Sequence, residues 1–467
     1  MSNQQPDYDV AIIGGGPAGM AAALTIKHHG ASVVLLDENL SPGGQIYRAV
    51  DSDIVSDPNI IGEDYYRGRK LVTDFKNSDI ETLSGAAVWN ISVEGEIFYT
   101  TAGTVKALRA DKIILATGAQ ERPFPVPGWT LPGVMTVGSA QILLKSSGLV
   151  SPNAVFAGTG PLMYLVAYQY LKAGVPVRAI LDTAESGNLW RALPHLPKAV
   201  GKLGELLKGQ GWINQIKKSG TEIIKGVSSL EMVGGESVTA VEFLARGALQ
   251  SIETDTVYLH QGVVPNVNLS MATGCKHVWD KTQLCWQAET DGGGRSSVES
   301  VFIAGDGGAI GGAVAAEQHG KIVALAVLSE IGKLDQATRD SLADKPNQIL
   351  ARELRFRPFL DTLFQPAKSM RIPEQAETIV CRCEETTAGQ IHDAISLGCT
   401  GPNQLKSFTR CGMGRCQGRF CGLTVSEMIA DQTGLSVDEV GYYRLRPPVK
   451  PVTLEQLASL DPALAAE

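Results

Sequence analysis

The chain has 467 residues, enough for two or three domains, each with its own core. Hydrophobic residues make up 44% and charged residues 19%, the balance of an ordinary globular protein and not of a disordered or collagenous one. A net charge of −8 argues against general nucleic-acid binding, which needs a basic face, and no uncharged apolar run nears the ~20 residues that cross a bilayer.

The opening stretch, "MSNQQPDYDV", is acidic and lacks the basic start of a secretory signal. A cytoplasmic location is expected, with peripheral attachment to the inner membrane through a partner left open. Residues 8–38, "YDVAIIGGGPAGMAAALTIKHHGASVVLLDE", then read as strand, glycine turn, helix and strand. Gly14 allows the tight turn, Gly16 lets backbone approach a pyrophosphate, and Gly19 lets helix and strand pack closely. Pro17 and Ala18 open the helix, whose free N–H groups and dipole suit phosphate. Asp37, with Glu38 beside it, ends the second strand, where an acid can accept from ribose hydroxyls. The motif alone does not separate FAD from a nicotinamide nucleotide.

"SPGGQIYR" follows, with Gly44, Gln45 and Arg48, and "ADKIILATGAQ" places Thr117 and Gly118 at the end of an apolar strand. Residues 153–182, "NAVFAGTGPLMYLVAYQYLKAGVPVRAILD", repeat the βαβ plan with Gly158, Gly160 and Asp182. The third glycine position is Met163, a bulky residue where close helix–strand packing is expected. Residues 189–218 read as broken helices that carry no chemistry. In "SVFIAGDGGAIGGAVAAEQHG" a further strand ends at Asp306, ahead of a helix start at Gly312 and Ala313.

In this order, "GGGPAG", "GGQIYR", "ATG" and "AGD" resemble the FAD domain of two-dinucleotide-binding-domain flavoproteins, relatives of thioredoxin and glutathione reductases. The resemblance implies an FAD site made by Gly14, Gly16, Pro17, Ala18, Gly19, Asp37, Glu38, Gly44, Gln45, Arg48, Val88, Thr117, Gly118, Asp306, Gly312 and Ala313. Asp306 would bond the ribitol chain or, on the plainer reading, cap the next helix. In those relatives the second site binds NAD(P)H. Here it is open to ordinary nicotinamide turnover, to another adenine nucleotide or a flavin shared with a partner, or to no ligand at all. Cys275 and Cys285 are the only cysteines in the first 370 residues, so no CxxC pair for a thiol–disulfide reductase is present there.

From Leu334 to Thr378 the α/β alternation stops, and a linker lying over another domain is expected. Six of the eight cysteines then fall between residues 381 and 421. "CRCEETT" supplies Cys381 and Cys383, and Thr387 with Gln390 forms a capping box for a short helix ending at Gly398. That arrangement predicts the paired cysteines at a helix N-terminus, where the dipole favours thiolates. Cys399 reads as packing. "TRCGMGRCQGRFCG" adds Cys411, Cys416 and Cys421 on glycine-rich backbone. Four thiolates suit zinc or an iron–sulfur cluster, and Arg382, Arg410, Arg415 and Arg419 could offset the negative charge of either.

These motifs resemble the small helical 2Fe–2S domain related to bacterioferritin-associated ferredoxin. By position the resemblance implies Cys381, Cys383, Cys416 and Cys421 as ligands, with zinc or no metal as alternatives. Cys411 departs from that pattern and is either a swapped ligand or an idle thiol.

Over nearly its full length the chain resembles the larger accessory subunits of heteromeric, dye-linked dehydrogenases. These include opine (octopine and nopaline) oxidase A subunits, the B subunit of hydrogen cyanide synthase, and proline and hydroxyproline dehydrogenase α subunits. The implied fold is α/β, with two Rossmann-like domains and a small, mainly helical cluster domain. The expected boundaries are a discontinuous FAD domain (1–120 and 262–335), an inserted nucleotide domain (121–261), a linker (336–375), a 2Fe–2S domain (376–445) and a tail (446–467). The implied role is electron transfer, with a C–N bond oxidised in a catalytic flavoprotein subunit resembling D-amino-acid or sarcosine oxidase. A downstream electron acceptor and a small third subunit complete that picture. A self-sufficient NAD(P)H oxidoreductase and a cluster-bearing scaffold are the alternatives.

Overall fold

The computed structural model describes residues 5–460, so the end of the expected tail, 461–467, lies outside them. The strand Tyr8–Ile13, apolar and β-branched, buries its last four residues. It pairs in parallel with Val33–Asp37 on one side and Thr104–Leu115 on the other. The sheet runs Glu81–Ser84, Val33–Asp37, Tyr8–Ile13, Thr104–Leu115, Glu96–Thr101, Ala87–Ile91. The chain leaves it after Leu115 and returns at Val301–Ile303, again parallel to Thr104–Leu115. The helices Pro17–His28 and Ala313–Glu330 pack against each other across one face, where Ile12, Met20, Phe302 and Val323 share a core.

The excursion builds a second parallel sheet, ordered Glu222–Lys225, Val177–Asp182, Ala154–Gly158, Val257–His260, Val134–Thr136. An antiparallel meander, Val227–Gly234, Val238–Ala245 and Ala248–Glu253, covers part of it with Leu230, Met232 and Phe243.

The segment expected as a linker is mostly helical. Asp335 caps a helix over Gln336–Leu354, and shorter helices follow at Arg357–Leu363 and Lys368–Arg371. The long helix escapes sequence reading because its faces are polar, Pro346 lies inside it and Ala343 is its buried residue. The C-terminal unit pairs Ile379–Cys381 with Thr386–Thr387. It then packs the helices Ala388–Ser396, Pro402–Thr409 and Gly422–Thr433 around Ile391, Leu405, Val425 and Met428. The Thr387–Gln390 capping box forms as expected. Among the described residues, no helix is long and apolar enough to cross a membrane.

Candidate functional site

The first glycine turn is closed by close approaches that side chains would prevent. Gly14 has φ +114°, and a Cβ there would lie 2.3 Å from the Ala116 carbonyl oxygen. At Gly19 a Cβ would lie 1.9 Å from the Gly14 oxygen, so helix and turn touch through bare backbone. Gly44, at φ +60°, rests on Gly16, where its Cβ would come within 2.8 Å of the Gly16 Cα. Gly43 also donates its N–H to the Gly15 oxygen at 2.8 Å. The "GGQIYR" loop is thereby pinned across the mouth of the turn. The Pro17–His28 helix begins with no side-chain cap, leaving its first N–H groups free for an anion.

Asp37 is buried and accepts from the Gly15 N–H, and from the Asn39 backbone (2.7 Å) and side chain (2.8 Å). It therefore positions the turn. Glu38 is half exposed and pairs with Lys450 at 2.5 Å. Arg48 donates to the Asn39 side-chain oxygen at 2.8 Å, while its Nε is buried with no partner. A buried cationic donor without a partner thus lies in the loop that closes on the glycine turn. Exposed Gln45 lies 3.5 Å from Arg48 through its Oε1, and Val88 buries its side chain in the core against the Val33–Asp37 strand.

Sequence reasoning missed Lys145, a fully buried lysine from the helix Val137–Ser147. It donates to the Ile46 carbonyl (2.9 Å) and the Gln141 side chain (3.0 Å) behind the same loop. Burial, with Arg48 nearby, pushes its pKa down to about 7.

Thr117 donates its hydroxyl to the Asn266 carbonyl at 3.0 Å, and the Asn266 N–H returns to Gly118 at 2.9 Å. Buried Asp306 accepts from the Gly311 (2.8 Å) and Gly312 (3.0 Å) N–H groups, ahead of the Ala313–Glu330 helix. Both N–H groups precede the helix, whose N-cap position carries no side-chain cap, so Oδ1 ties down the loop that leads into it. Burial raises the Asp306 pKa.

The second turn keeps its backbone but not its openness. Gly158 and Gly160 have φ near the same left-handed value, +136° and +131°, and both press on His260. Asp182 is engaged by the Tyr164 hydroxyl (2.7 Å) and the Ala184 N–H (2.9 Å), and Met163 is fully buried in the local core. In front of Thr159 and Gly160 lies a cavity of about 260 Å³, lined also by His260, Ile310, Arg357 and Leu360. The Arg357–Leu363 helix contributes one wall of it, and Arg122 lies buried beside it, donating to the Gln283 and Leu284 carbonyls. Asp182 is as buried as Asp37 and likewise accepts the N–H two residues on; the Tyr164 hydroxyl is its added partner.

Five cysteines converge in the C-terminal unit. The sulfurs of Cys381, Cys411 and Cys421 all lie within 4.8 Å of one another. Cys383 and Cys416 stand within hydrogen-bonding reach of each other. Glycines make room for this: a Cβ on Gly414 would lie 2.1 Å from the Cys383 Cβ, and one on Gly412 or Gly418 would enter the Tyr443 ring. Hydrogen bonds from Cys411 and Cys421 hold the Cys381 pKa down at about 2, whereas Cys411 itself is pushed up to about 12 beside Cys381. The source of thiolate stability differs from expectation. Cys381 ends a strand and the next helix starts only at Ala388, so neighbouring thiols and backbone N–H groups do what a helix dipole was expected to do.

The arginines also differ. Arg382 lies over the Trp129 ring, Arg410 pairs with Glu384 at 3.0 Å and Arg415 is exposed, leaving Arg419 with a buried, unpartnered Nε. Cys399 packs in the core, as expected. A dense, buried set of thiols fits a thiophilic metal centre, and five are more than one cluster needs.

The cysteine loop is seated on the first unit. Gln120 donates to the Arg419 carbonyl at 3.0 Å, and Asn268 reaches the Cys416 and Gln417 carbonyls at 3.5 and 3.4 Å. Both residues adjoin the Thr117–Gly118–Asn266 loop. Sequence offered a hint only for Gln120, through its place just after "ATG".

Two glycine turns, each set between parallel strands and the first keeping its cradle, are the framework of a flavoprotein oxidoreductase. Residues 8–320 match the model of the pyridine nucleotide-disulphide oxidoreductase family, and residues 375–460 match the sarcosine oxidase A3 domain. The chain is 44% identical to the A subunit of opine oxidase from Agrobacterium tumefaciens, over 97% of this chain and 92% of that one. It is 32% identical to hydrogen cyanide synthase subunit HcnB of Pseudomonas protegens, over 96% and 97% respectively. The L-proline dehydrogenase of P. horikoshii shares the fold, with a TM-score of 0.72 at 19% identity, covering 96% of this chain and 79% of that one. The chain belongs to the pyridine nucleotide-disulphide oxidoreductase family and, within it, to the group of opine oxidase A subunits.

Proposed function

We propose that the chain is the electron-transfer subunit of a heteromeric dehydrogenase that oxidises an opine or amino acid at a C–N bond in a separate flavoprotein subunit. The first turn would hold FAD, which would supply two-electron chemistry, and Cys383, Cys416 and thiols of the Cys381 group would hold a 2Fe–2S cluster, which would supply single-electron export. The observation that carries this reading is the seating of the cysteine loop: Gln120 and Asn268 bind the carbonyls of Cys416, Gln417 and Arg419 from residues adjoining Thr117 and Gly118. The Cys416 loop and the Thr117–Gly118 loop thus share one short hydrogen-bonded path.

The helix walling the second turn, and buried Met163 in place of its third glycine, favour reducing equivalents arriving from a partner over a nicotinamide. The likeness to one subunit of opine oxidase and to one of hydrogen cyanide synthase supports a partner, as does the sarcosine oxidase A3 match. That partner would resemble D-amino-acid or sarcosine oxidase, with a small third subunit next to it and a soluble or membrane acceptor downstream.

The test is the complex purified from its native host, with flavin and iron quantified per chain. Substrate should bleach flavin in both wild type and Cys416→Ser, while only wild type passes electrons to an external acceptor. Unchanged transfer in Cys416→Ser, or amino-acid oxidation by this chain alone, would overturn the proposal.

A further inference from the structure

The structure brings three thiols where one iron needs two. The sulfurs of Cys411, Cys381 and Cys421 all lie within 4.8 Å of one another. Its placement is built into the backbone. Arg410 ends the Pro402–Thr409 helix in the left-handed region at φ +60°, and the Cys411 N–H bonds the Thr409 hydroxyl at 3.2 Å, which turns the next side chain inward. Gly412, at φ +83°, has no room for a Cβ against Tyr443. Cys411 is fully buried, and the Tyr443 hydroxyl donates to its sulfur at 3.4 Å and lies 3.9 Å from the Cys421 sulfur. A cysteine that merely packs, like Cys399, sits apart from the other thiols and meets a backbone carbonyl.

Two thiolates on one tetrahedral iron stand about 3.8 Å apart when each Fe–S bond is about 2.3 Å. Any two of the three sulfurs reach that spacing by closing about 1 Å or less, which side-chain rotation at a buried cysteine supplies. Cys383 and Cys416 neighbour each other, and among the described residues no third ligand atom joins the two within 4.8 Å. The cradle is therefore asymmetric, with one obligatory pair and one redundant trio.

We propose that Cys411 is a competent cluster ligand held in reserve, able to replace either Cys381 or Cys421 on the second iron. The proposal rests on the 2Fe–2S reading above and adds a prediction that reading does not make. Tyr443 would follow the exchange, because its single proton can serve whichever thiol is left off the metal.

The experiment uses the full chain with its partner, and single and double cysteine-to-alanine variants. Iron and acid-labile sulfide per chain, the visible spectrum and the electron paramagnetic resonance of the reduced protein are the readouts. Flavin content reports folding. Cys421→Ala and Cys381→Ala should each keep about two irons per chain, with shifted resonance g-values because a different thiolate is bound. Cys411→Ala alone should keep iron with wild-type g-values. Cys383→Ala, Cys416→Ala and the doubles Cys411→Ala/Cys421→Ala and Cys411→Ala/Cys381→Ala should lose the cluster while keeping flavin. Two independent backgrounds ensure that a folding failure in one leaves the other decisive. If both singles in the trio lose iron as completely as Cys383→Ala, with flavin intact, the reserve role is wrong and the cluster reading survives. If the wild-type chain carries no iron, both fall together.

Discussion

Replacing Gly320 by alanine probes how the first nucleotide site is held open. Gly320 lies inside the Ala313–Glu330 helix, and a Cβ there would stand 2.2 Å from the Ala18 oxygen and 2.8–2.9 Å from the Ala18 carbonyl carbon and Cα. Everything it meets is backbone, so no rotamer change relieves the overlap. The contact must open from 2.2 Å to the 3.4 Å of ordinary van der Waals contact, which moves one helix off the other. Alanine gains roughly 1 kcal/mol of helix propensity over glycine, and overpacking a close interface costs about 1–3 kcal/mol or more. Because the overlap is with backbone alone, the cost sits at the upper end of that range, for a net loss of about 1–2 kcal/mol. Ala18 belongs to the first turn of the Pro17–His28 helix, so the same displacement disturbs the N–H groups offered to the phosphates. Flavin affinity should fall together with stability. Gly209 is the control: it lies in the helix Leu203–Lys218 with nothing within 4 Å of its missing Cβ. There, alanine should stabilise by about 0.5–1 kcal/mol and leave flavin untouched. Denaturant unfolding and flavin retained per chain after gel filtration measure both. Gly320→Ala with undiminished stability and full flavin would refute the claim that bare backbone contact sets this site.

Lys145 should impose a pH slope. Its pKa falls from 10.5 to about 7 on folding, so the unfolded chain binds more protons between those values and stability rises with pH across that window by about 1.4 kcal/mol per unit. Lys145→Met should flatten that slope relative to wild type in unfolding measured at intervals from pH 6 to 10. Arg371 and Glu427 form a buried ion pair tying the short Lys368–Arg371 helix to Gly422–Thr433. Arg371→Met strands a buried carboxylate and should destabilise the C-terminal unit by about 3–5 kcal/mol, read as earlier iron loss in urea. Gly414→Ala drives a methyl group into Cys383, so iron should be lost and flavin kept, as quantified on the same sample.

Both glycine turns and the strands around them were legible because each depends on short-range rules, namely a buried β-branched run, a glycine where φ is positive and an acid at a strand end. The Thr387–Gln390 box was legible for the same reason. What escaped depends on distance in the chain. Cys411 could be named from spacing but not placed, since its neighbours Cys381 and Tyr443 come from separate segments. Lys145 reads as an ordinary helix lysine until the Gln45–Ile46 carbonyls fold over it. Arg382 and Arg410 looked like counter-charges for a metal centre, yet a tryptophan ring and Glu384 claim them. The Gln336–Leu354 helix shows no apolar stripe because it buries little, and its packing on the Ala313–Glu330 helix overrides Pro346.

The balance of forces between the units bears on how electrons would cross. The polar bonds from Gln120 and Asn268 to the cysteine loop are between neutral groups, two of them long, and each contributes about 0.5–1.5 kcal/mol. Beside them, Val264, Cys285 and Trp286 of the first unit close an apolar seam with Leu423 and Tyr442 of the cysteine unit. Burying one such large side chain contributes about 1.5–3 kcal/mol, and the Trp286–Tyr442 ring contact, at 6.4 Å between centroids, adds to it. Trp129 donates a further bond to the Ile379 carbonyl at 2.6 Å, directly ahead of Cys381. Apolar contact therefore supplies most of the adhesion, and the hydrogen bonds set the register. The cysteine unit is thus held on several sides, and the chain from Gly118 through Asn266 and Asn268 to the Cys416 carbonyl is continuous within that docked interface.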